Sequence, residues 1–228
     1  MKYLVFDFET TGIGKDKKNK YHPYEDNLMP LPRENFPVQI AAWLIDSDGT
    51  ILQKMNKIIS GAIRFDPFVL ENCPHLSIKD CERNGESFEN ILNAMSDMAT
   101  DATLVAHNIQ YDWDEVLLPT AKEIGCDCTE AFLKLKNCPR FCTCVNEKNK
   151  RNKSAFFYRK LEKWIGPSLE NLAKKYSIIY ETDKAHDASY DVQITVQCLM
   201  KSHPEFFILK NFDDVDVPSV STKSSESK

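Results

Sequence analysis

The stretch YLVFDFETTGIG, residues 3–14, places Asp7 and Glu9 in an apolar run that predicts a buried strand. Alternate residues of a strand point to the same face, so both carboxylates would lie side by side. Burial of unpaired carboxylates is costly, and their mutual repulsion adds to that cost. A hard divalent cation such as Mg²⁺ would resolve both problems, because it prefers oxygen ligands. Alternatively, the strand ends at Phe8 and the acids are solvated loop charges, with Asp7 capping a turn.

Two later segments, AHNIQYDWDE and AHDASYDV, each place an aspartate in the first turn of a predicted helix: Asp112 and Asp191. A helix N-terminus stabilises an ionised carboxylate, which would keep both aspartates ready as metal ligands at neutral pH. Taken singly, each is equally well an ordinary helix-start aspartate. The neighbouring Asp114 and Asp187 would then be their equals.

Together these segments resemble the motifs of the DnaQ-like DEDDh 3′–5′ exonuclease family, which has the ribonuclease H-like fold. DFETTGI resembles its D-x-E-T-T-G-L motif, HNIQYD its H-N-x-x-[FY]-D motif, and HDASYD its H-x-x-x-x-D motif. Weaker similarities lie in PVQIAAWLIDSDGTIL, HLSIKDCERNGESFENIL and PSLENLAKKY. The resemblance covers roughly residues 3–201.

The resemblance implies a site for two Mg²⁺ or Mn²⁺ ions. By the family pattern, Asp7, Glu9 and Asp191 bind one ion. Asp7 also binds the second ion, which Asp112 supports partly through water. Such a pair of cations stabilises the attacking and leaving oxygens of an in-line displacement at phosphorus.

His186 is implied to be the general base rather than a metal ligand. It would take the proton from the attacking water, a role that suits an imidazole at neutral pH. Its position five residues before Asp191 places it in the loop that precedes the helix. Tyr190 would matter only if it replaced the histidine, so we assign the role to His186.

The family pattern also implies a pocket for the 3′-terminal nucleotide, formed by Thr10, Thr11, Gly12, Ile13 and Asn108. The threonines and glycine would offer hydroxyl and backbone N–H groups, and Ile13 would wedge against the base. Asn108 would contact the nucleotide or hold the loop that carries Asp112. His107 is predicted to be structural.

The elements that position these residues follow from periodicity and turn signals. Strands are predicted over residues 3–8, 38–46, 51–60 and 102–107, the second and third forming a hairpin. Helices are predicted after Pro67 and over residues 87–98, 111–125, 167–176 and within 187–206. Pro119 would bend or split the third helix. This order predicts an α/β domain, and the resemblance makes it a ribonuclease H-like, mixed five-stranded sheet flanked by helices.

The exonuclease domain is predicted to span residues 1–210, with residues 15–37 and 126–155 as loop excursions and 211–228 as a disordered polar tail. In the first excursion, Tyr21, His22 and Tyr24 would stack on bases or simply pack on the surface.

The second excursion is rich in cysteine and in basic residues. Its C-x-C pairs differ from the C-x₂₋₄-C spacing that zinc prefers, so free thiols are favoured over a zinc site. From Lys134 to Lys163 there are ten Lys/Arg against two Glu. This basic stretch predicts either a phosphate-contacting surface or a solvated loop.

Bulk properties limit the function classes. The chain has 228 residues, a net charge of −5 and no apolar run long enough to span a membrane. It has no recognisable signal peptide, so we expect an intracellular protein in either cytoplasm or nucleus.

The sequence therefore predicts a metal-dependent 3′–5′ exonuclease that releases nucleoside 5′-monophosphates, with DNA favoured over RNA. The expected substrates are single-stranded or frayed 3′ ends, and a polymerase or a replication or repair complex is a candidate partner. The alternatives are an exoribonuclease with the same site, or a non-catalytic nucleic-acid-binding module of the same fold.

Overall fold

The computed structural model describes residues 1–12, 35–146 and 166–207. Its strands are β1 (Lys2–Thr10), β2 (Pro37–Asp46), β3 (Ile51–Ile58), β4 (Ala102–Ala106) and β5 (Arg140–Cys142). They form one mixed five-stranded sheet in the order β3-β2-β1-β4-β5. The β1–β2 and β2–β3 pairs are antiparallel, whereas β1–β4 and β4–β5 are parallel. This arrangement confirms the predicted α/β fold class.

Helices lie on both faces of the sheet. The α-helices are α1 (Pro67–Asn72), α2 (Ile78–Asn84), α3 (Phe88–Met98), α4 (Leu118–Glu123), α5 (Glu130–Asn137), α6 (Leu169–Lys175) and α7 (Ala188–Ser202). Short 3₁₀ turns cover Thr182–Lys184 and Pro204–Phe206. The predicted helices after Pro67 and over 87–98, 167–176 and 187–206 are all present, and the helix α2 was not predicted.

The central strand β1 divides the core into two layers. Its even-numbered residues belong to an apolar cluster with α3 and α5, which includes Leu4, Phe6, Phe8, Ile91, Met95 and Phe132. Its odd-numbered residues pack against α7 in a second cluster, which includes Tyr3, Val5, Val192, Val196 and Leu199. Strand alternation thus gives each layer its own face of β1.

The acids of β1 lie within the strand. β1 continues through Asp7 and Glu9 to Thr10, so the alternative in which the strand ends at Phe8 is wrong. The reason is backbone pairing, because Asp7 lies opposite Ala41 of β2 and Glu9 lies further along the same ladder. The register shifts only after Glu9, which bends the end of the strand next to the acids.

The segment 126–155 was predicted to be irregular, and this is wrong for Glu130–Asn137, which form α5, and for Arg140–Cys142, which form β5. Thr129 caps α5, its hydroxyl accepting a hydrogen bond from the Phe132 N–H at 3.3 Å. Phe132 and Leu135 are buried in the core layer that contains α3. Their helical spacing is present in the sequence, but the cysteines and lysines of the surrounding segment obscured it.

The predicted helix over 111–125 is divided in two, as Pro119 suggested. Residues Tyr111–Leu117 form a π-helix, and α4 follows with Pro119 in its first turn. After α4, Gly125 adopts a left-handed φ of 76°, which glycine tolerates without steric cost.

Some predictions fall outside the described residues. These are Ile13, the aromatic residues Tyr21, His22 and Tyr24, most of the basic stretch, and the tail 211–228. All eight cysteines are described, and none forms a disulfide. In the described ranges, no helix has the length and apolar character needed to cross a membrane.

Candidate active site

Three side chains from two distant parts of the chain converge beside the end of β1. Ligand atoms of Glu9, His186 and Asp191 all lie within 4.8 Å of one another. Asp191 Oδ1 is buried and has no hydrogen-bond partner among the described residues. A buried acceptor without a donor is costly, and a cation would satisfy it. The donor set of carboxylate oxygens and an imidazole nitrogen therefore fits a divalent metal ion.

Strand and helix periodicity explain this convergence. Asp7 and Glu9 continue the odd-numbered row of β1 that contains Val5, so they face α7. On α7, Asp191 lies three residues after the buried Ala188, on the side of the helix that packs against the sheet. The candidate site is thus one end of the apolar interface between β1 and α7, where acids take the place of apolar residues.

Asp112 approaches β1 from the other side. It is 2% exposed, and its Oδ1 accepts a hydrogen bond from the Phe8 backbone N–H at 3.1 Å. Burial raises the pKa of Asp112 to about 7, and the Phe8 hydrogen bond opposes this shift only partly. Desolvation thus outweighs the favourable effect of the helix start on the pKa of Asp112, and the role of Asp112 as a metal ligand stays a prediction.

The other acids are perturbed in the same direction. Burial, followed by the negative charges of Asp112 and Glu9, raises the pKa of Asp7 well above its ordinary value. Burial and the charge of Asp191 likewise raise the pKa of Glu9, and burial raises that of Asp191 to about 7. Four mutually repelling, desolvated carboxyl groups require positive charge nearby to be ionised together. This is a second reason why the site fits divalent cations.

His186 occupies a strained and exposed position at this cluster. Its φ is 64°, in the left-handed region that histidine seldom adopts. Its backbone N–H donates to Asp191 Oδ2 at 3.2 Å, and its ring lies 6.0 Å from that of Phe68 in a T-shaped arrangement. Burial lowers the pKa of His186. The ring therefore lies near enough to the acids to act either as the predicted base or as a ligand.

The alternatives considered for the helix-start residues have other roles in the structure. Asp187 caps α7, its Oδ1 accepting from the Ser189 and Tyr190 N–H groups at 2.8 and 3.3 Å. Tyr190 directs its hydroxyl to the Glu181 N–H at 2.6 Å. Asp114 is exposed on the π-helix.

The threonines that were predicted to line the 3′-end pocket make hydrogen bonds within the loop that follows β1. Thr10 and Thr11 are each 6% exposed, and their hydroxyls are used internally. Thr10 Oγ1 donates to the Gly12 carbonyl at 2.6 Å and lies 3.0 Å from the Tyr111 hydroxyl. Thr11 Oγ1 accepts from the Phe36 N–H at 3.1 Å. Both threonines therefore help to shape the loop, and their contacts with a substrate stay a prediction.

The two residues that follow β4 also differ in role. Asn108 is exposed, with a left-handed φ of 68°, and its carbonyl accepts from the Tyr111 N–H at 2.8 Å, next to Asp112. His107 bridges Thr143 Oγ1 and the Pro167 carbonyl at 2.9 and 3.0 Å, in agreement with the predicted structural role. Burial lowers the pKa of His107 to about 4, so this bridge is made by a neutral ring.

The sequence analysis missed three residues beside the site: Gln39, Cys73 and His75. Cys73 Sγ lies 3.9 Å from Glu9 Oε2, and burial, with a smaller effect of Glu9, raises the pKa of this thiol to about 12. Gln39 lies opposite Glu9 in the sheet and is 4% exposed. The available signal was Gln39 itself, a polar residue inside the otherwise apolar strand PVQIAAWLI.

Comparison with known proteins adds a family match. Residues 4–199 match the model of the RNase_T family, which is described as exonuclease. No curated protein matches the sequence.

Solved structures of exonuclease I share the fold. Apo exonuclease I has a TM-score of 0.60 and 18% identity, over 90% of this chain and 43% of that one. Another exonuclease I structure gives 0.59 and 20%, over 90% and 42%. Escherichia coli exonuclease I with a dT13 oligonucleotide gives 0.55 and 19%, over 90% and 42%. The chain thus spans less than half the length of these proteins, and the similarity establishes the fold.

Proposed function

The chain belongs to the RNase_T exonuclease family, as its three motifs predicted, and from this membership and the site we propose that it is a 3′–5′ exonuclease. Its substrate is single-stranded or frayed nucleic acid, with DNA favoured over RNA, and its products are nucleoside 5′-monophosphates. The observation that carries the proposal is the convergence of Glu9, His186 and Asp191 around a buried, unpartnered carboxylate oxygen.

The proposed cofactors are two Mg²⁺ or Mn²⁺ ions. Asp7, Glu9 and Asp191 would hold one, and Asp7 together with Asp112 would hold the other. When bound, these cations supply positive charge to the attacking and leaving oxygens of the phosphodiester. The raised pKa values of these buried acids support the assignment, because cations favour the ionised carboxylates. One exonuclease I–ssDNA complex contains zinc, which is consistent with a divalent ion but does not select Mg²⁺.

His186 is the proposed general base. Because burial lowers its pKa, the ring is neutral at neutral pH and has a nitrogen free to accept a proton from water. The hydrogen bond from its own N–H to Asp191 keeps the ring beside the acids. Its exposure leaves room for the ring to move with the substrate.

The proposed substrate class is supported by solved structures that share the fold. Exonuclease I has been crystallised with dT13 and dA16 oligonucleotides, which supports single-stranded DNA as the substrate of this chain. The loop of Thr10, Thr11, Gly12 and Ile13 would place the 3′-terminal nucleotide, with Thr10 and Thr11 acting through loop shape. Asn108 would contact the nucleotide or hold the loop that carries Asp112.

The domain and its partners complete the proposal. The family match over residues 4–199 supports an exonuclease domain spanning residues 1–210. A structure pairs exonuclease I with the C-terminal segment of SSB. A single-stranded-DNA-binding protein within a replication or repair complex is therefore the proposed partner type, with a polymerase as a further candidate.

The function is tested with matched DNA and RNA oligonucleotides carrying a 5′ label, each incubated with Mg²⁺, Mn²⁺ or EDTA. We expect a ladder that shortens from the 3′ end, faster on DNA, and no hydrolysis in EDTA. Hydrolysis in EDTA would refute the metal mechanism. Faster hydrolysis of RNA would favour the exoribonuclease alternative, and binding without cleavage in every metal would favour the non-catalytic module.

His186→Gln tests the assignment of the base. We expect the turnover number to fall by about 10²–10⁴-fold, the usual contribution of general base catalysis, while Mn²⁺ affinity is retained. Tyr190→Phe is the matched control, because its hydroxyl only caps the Glu181 N–H, and it should keep the wild-type rate. If His186→Gln loses Mn²⁺ affinity in proportion to its rate, His186 is a ligand instead.

A further inference from the structure

Gln39 is an unusual residue for its position. Its neighbours in β2 are buried and apolar, and the amide itself is 4% exposed, opposite Glu9 in the sheet. A buried amide is costly unless its donors and acceptor are used. Its retention inside a core strand therefore has to be explained by its hydrogen bonds.

Both ends of the Gln39 amide have partners. Nε2 donates to Asn56 Oδ1 of β3 at 3.1 Å, which fixes the orientation of the amide. Oε1 then points to α7 and accepts from the Ala188 N–H at 3.4 Å. His75 Nε2 lies 3.3 Å from the same Oε1. Because a carbonyl oxygen only accepts, this His75 nitrogen carries the proton.

The Ala188 bond completes the hydrogen bonding at the start of α7. The first N–H groups of a helix have no partner within the helix. Asp187 Oδ1 accepts from Ser189 and Tyr190, and the Asp187 carbonyl accepts from Asp191 at 2.9 Å. The remaining N–H, that of Ala188, is the one taken by Gln39. A side chain from β2 thus supplies the cap that ties this helix to the sheet.

His75 joins the same point from a third segment. Its Nε2 lies 3.8 Å from Asp187 Oδ2, in addition to its contact with Gln39. Two residues earlier, Cys73 Sγ lies 3.9 Å from Glu9 Oε2, within the same turn. The turn 73–76 therefore contacts both Glu9 and Asp187, and Asp187 lies between His186 and the first residue of α7.

We propose that Gln39 and His75 are positioning residues, which hold the start of α7 so that Asp191 and His186 face Glu9 at ligand distance. The inference rests on the proposed function for the roles of these three residues. Gln39 and His75, with their contacts to Ala188 and Asp187, form a polar clamp that lies outside the acidic motifs and aligns the site. The clamp acts through α7 and contacts neither substrate nor metal.

The test compares variants that keep or remove each polar atom. His75→Gln keeps an N–H near the position of Nε2, whereas His75→Leu removes it. Gln39→Met keeps the side-chain length and removes the acceptor. Leu92→Ala, in the core on the opposite face of the sheet, is the control for loss of stability alone.

Two readouts are measured on the full chain: Mn²⁺ affinity by EPR titration, and hydrogen exchange of the backbone amides of residues 186–191 in EDTA. We expect Gln39→Met and His75→Leu to weaken Mn²⁺ binding by about tenfold or more, as loss of an orienting partner does, and to accelerate exchange at the start of α7. His75→Gln should keep near-wild-type Mn²⁺ affinity and hydrogen exchange. Leu92→Ala should change neither the Mn²⁺ affinity nor the exchange of residues 186–191.

The outcomes separate this inference from the proposed function. If Gln39→Met and His75→Leu behave like Leu92→Ala in both readouts, the clamp is only structural and the inference is overturned. If the wild type degrades no oligonucleotide, the exonuclease assignment fails, while the metal and exchange readouts still decide the clamp. If the wild type binds no Mn²⁺, the exchange readout alone decides it.

Discussion

The two faces of β1 contrast sharply in what they bury. Toward α3 and α5, the strand presents Leu4, Phe6 and Phe8 to a large apolar cluster. Toward α7, the row begins with Tyr3 and Val5 and then changes to Asp7 and Glu9. One strand therefore anchors the fold on one side and positions the chemistry on the other.

This contrast implies an energetic division between the faces. Burial of a large apolar side chain contributes about 1.5–3 kcal/mol, so the first face stabilises the domain. The acids of the second face are desolvated and repel one another, which opposes folding in the absence of cations. Mutations on the two faces should consequently separate stability from activity.

The largest separation is expected between Glu9→Gln and Leu92→Ala. Glu9→Gln removes a charged ligand and should lower the turnover number by about 10³-fold or more, the scale of lost electrostatic stabilisation. It should not lower the melting temperature in EDTA at pH 8, because a buried charge is also removed. Initial rates on a labelled oligonucleotide and thermal melts measure the two effects.

Leu92→Ala should show the reverse pattern. Leu92 is 1% exposed, and its truncation should cost about 2–5 kcal/mol of stability through the cavity it leaves. Its turnover number should stay near wild type at temperatures where the variant is folded. A large rate loss in Leu92→Ala, or a destabilised Glu9→Gln in EDTA, would contradict the division between the faces.

The sequence predicted the two faces unequally. The acids and His186 were identified because three short motifs resemble those of an exonuclease family, and the hairpin of β2 and β3 because strand alternation is a local signal. The raised pKa of Asp112 was not predicted, because desolvation of a carboxyl group depends on the residues that the fold places around it. The clamp of Gln39 and His75 joins residues far apart in the chain, so no local pattern reveals it.

The helix α5 was missed for a different reason. Its apolar residues have helical spacing and Thr129 supplies an N-cap, but the surrounding cysteines and lysines suggested an irregular segment. Composition outweighed periodicity in that prediction, although periodicity is the more direct signal. On the apolar face, then, helical periodicity alone would have been sufficient to predict α5 from the sequence.

A smaller effect is expected in the pH dependence of stability without metal. Asp112 and Asp191 have pKa values raised from 3.8 to about 7, so between these pH values the folded protein binds more protons than the unfolded chain. Their stabilising protonation is complete below pH 3.8 and is lost as the pH rises to about 7. We expect lower melting temperatures in EDTA at pH 8 than at pH 5. Each kcal/mol of lost unfolding free energy should lower the melting temperature by about 2–4 °C.

Asp112→Asn isolates this contribution from the rest of the titration. The amide oxygen still accepts from the Phe8 N–H, but the group no longer ionises. In EDTA the variant should gain stability over wild type as the pH rises from 5 to 8. Mg²⁺ should raise the wild-type melting temperature more at pH 8, because it binds the ionised form. If the melting temperatures of variant and wild type change in parallel between pH 5 and pH 8, ionisation of Asp112 does not destabilise the fold. The energetic cost proposed for this face would then be wrong.

The smallest expected effect concerns Phe68, an apolar residue of α1 whose ring contacts His186. Phe68 is 38% exposed, and its ring meets the imidazole edge-on at 6.0 Å and 76°. Such an aromatic contact is worth about 0.5–1.5 kcal/mol, so Phe68→Ala should lower the turnover number only about threefold. KM should not change, because the ring is assigned to orienting the base.

Leu70→Ala is the matched control for Phe68→Ala. Leu70 is 55% exposed on the same helix, and its truncation should leave both kinetic constants unchanged. If Phe68→Ala instead raises KM on oligonucleotides while the turnover number is kept, the ring contacts the substrate and not the base. Phe68, on the side of the sheet that holds the acids, would then bind nucleic acid directly. The two faces of β1 would differ in what they bind as well as in their charge.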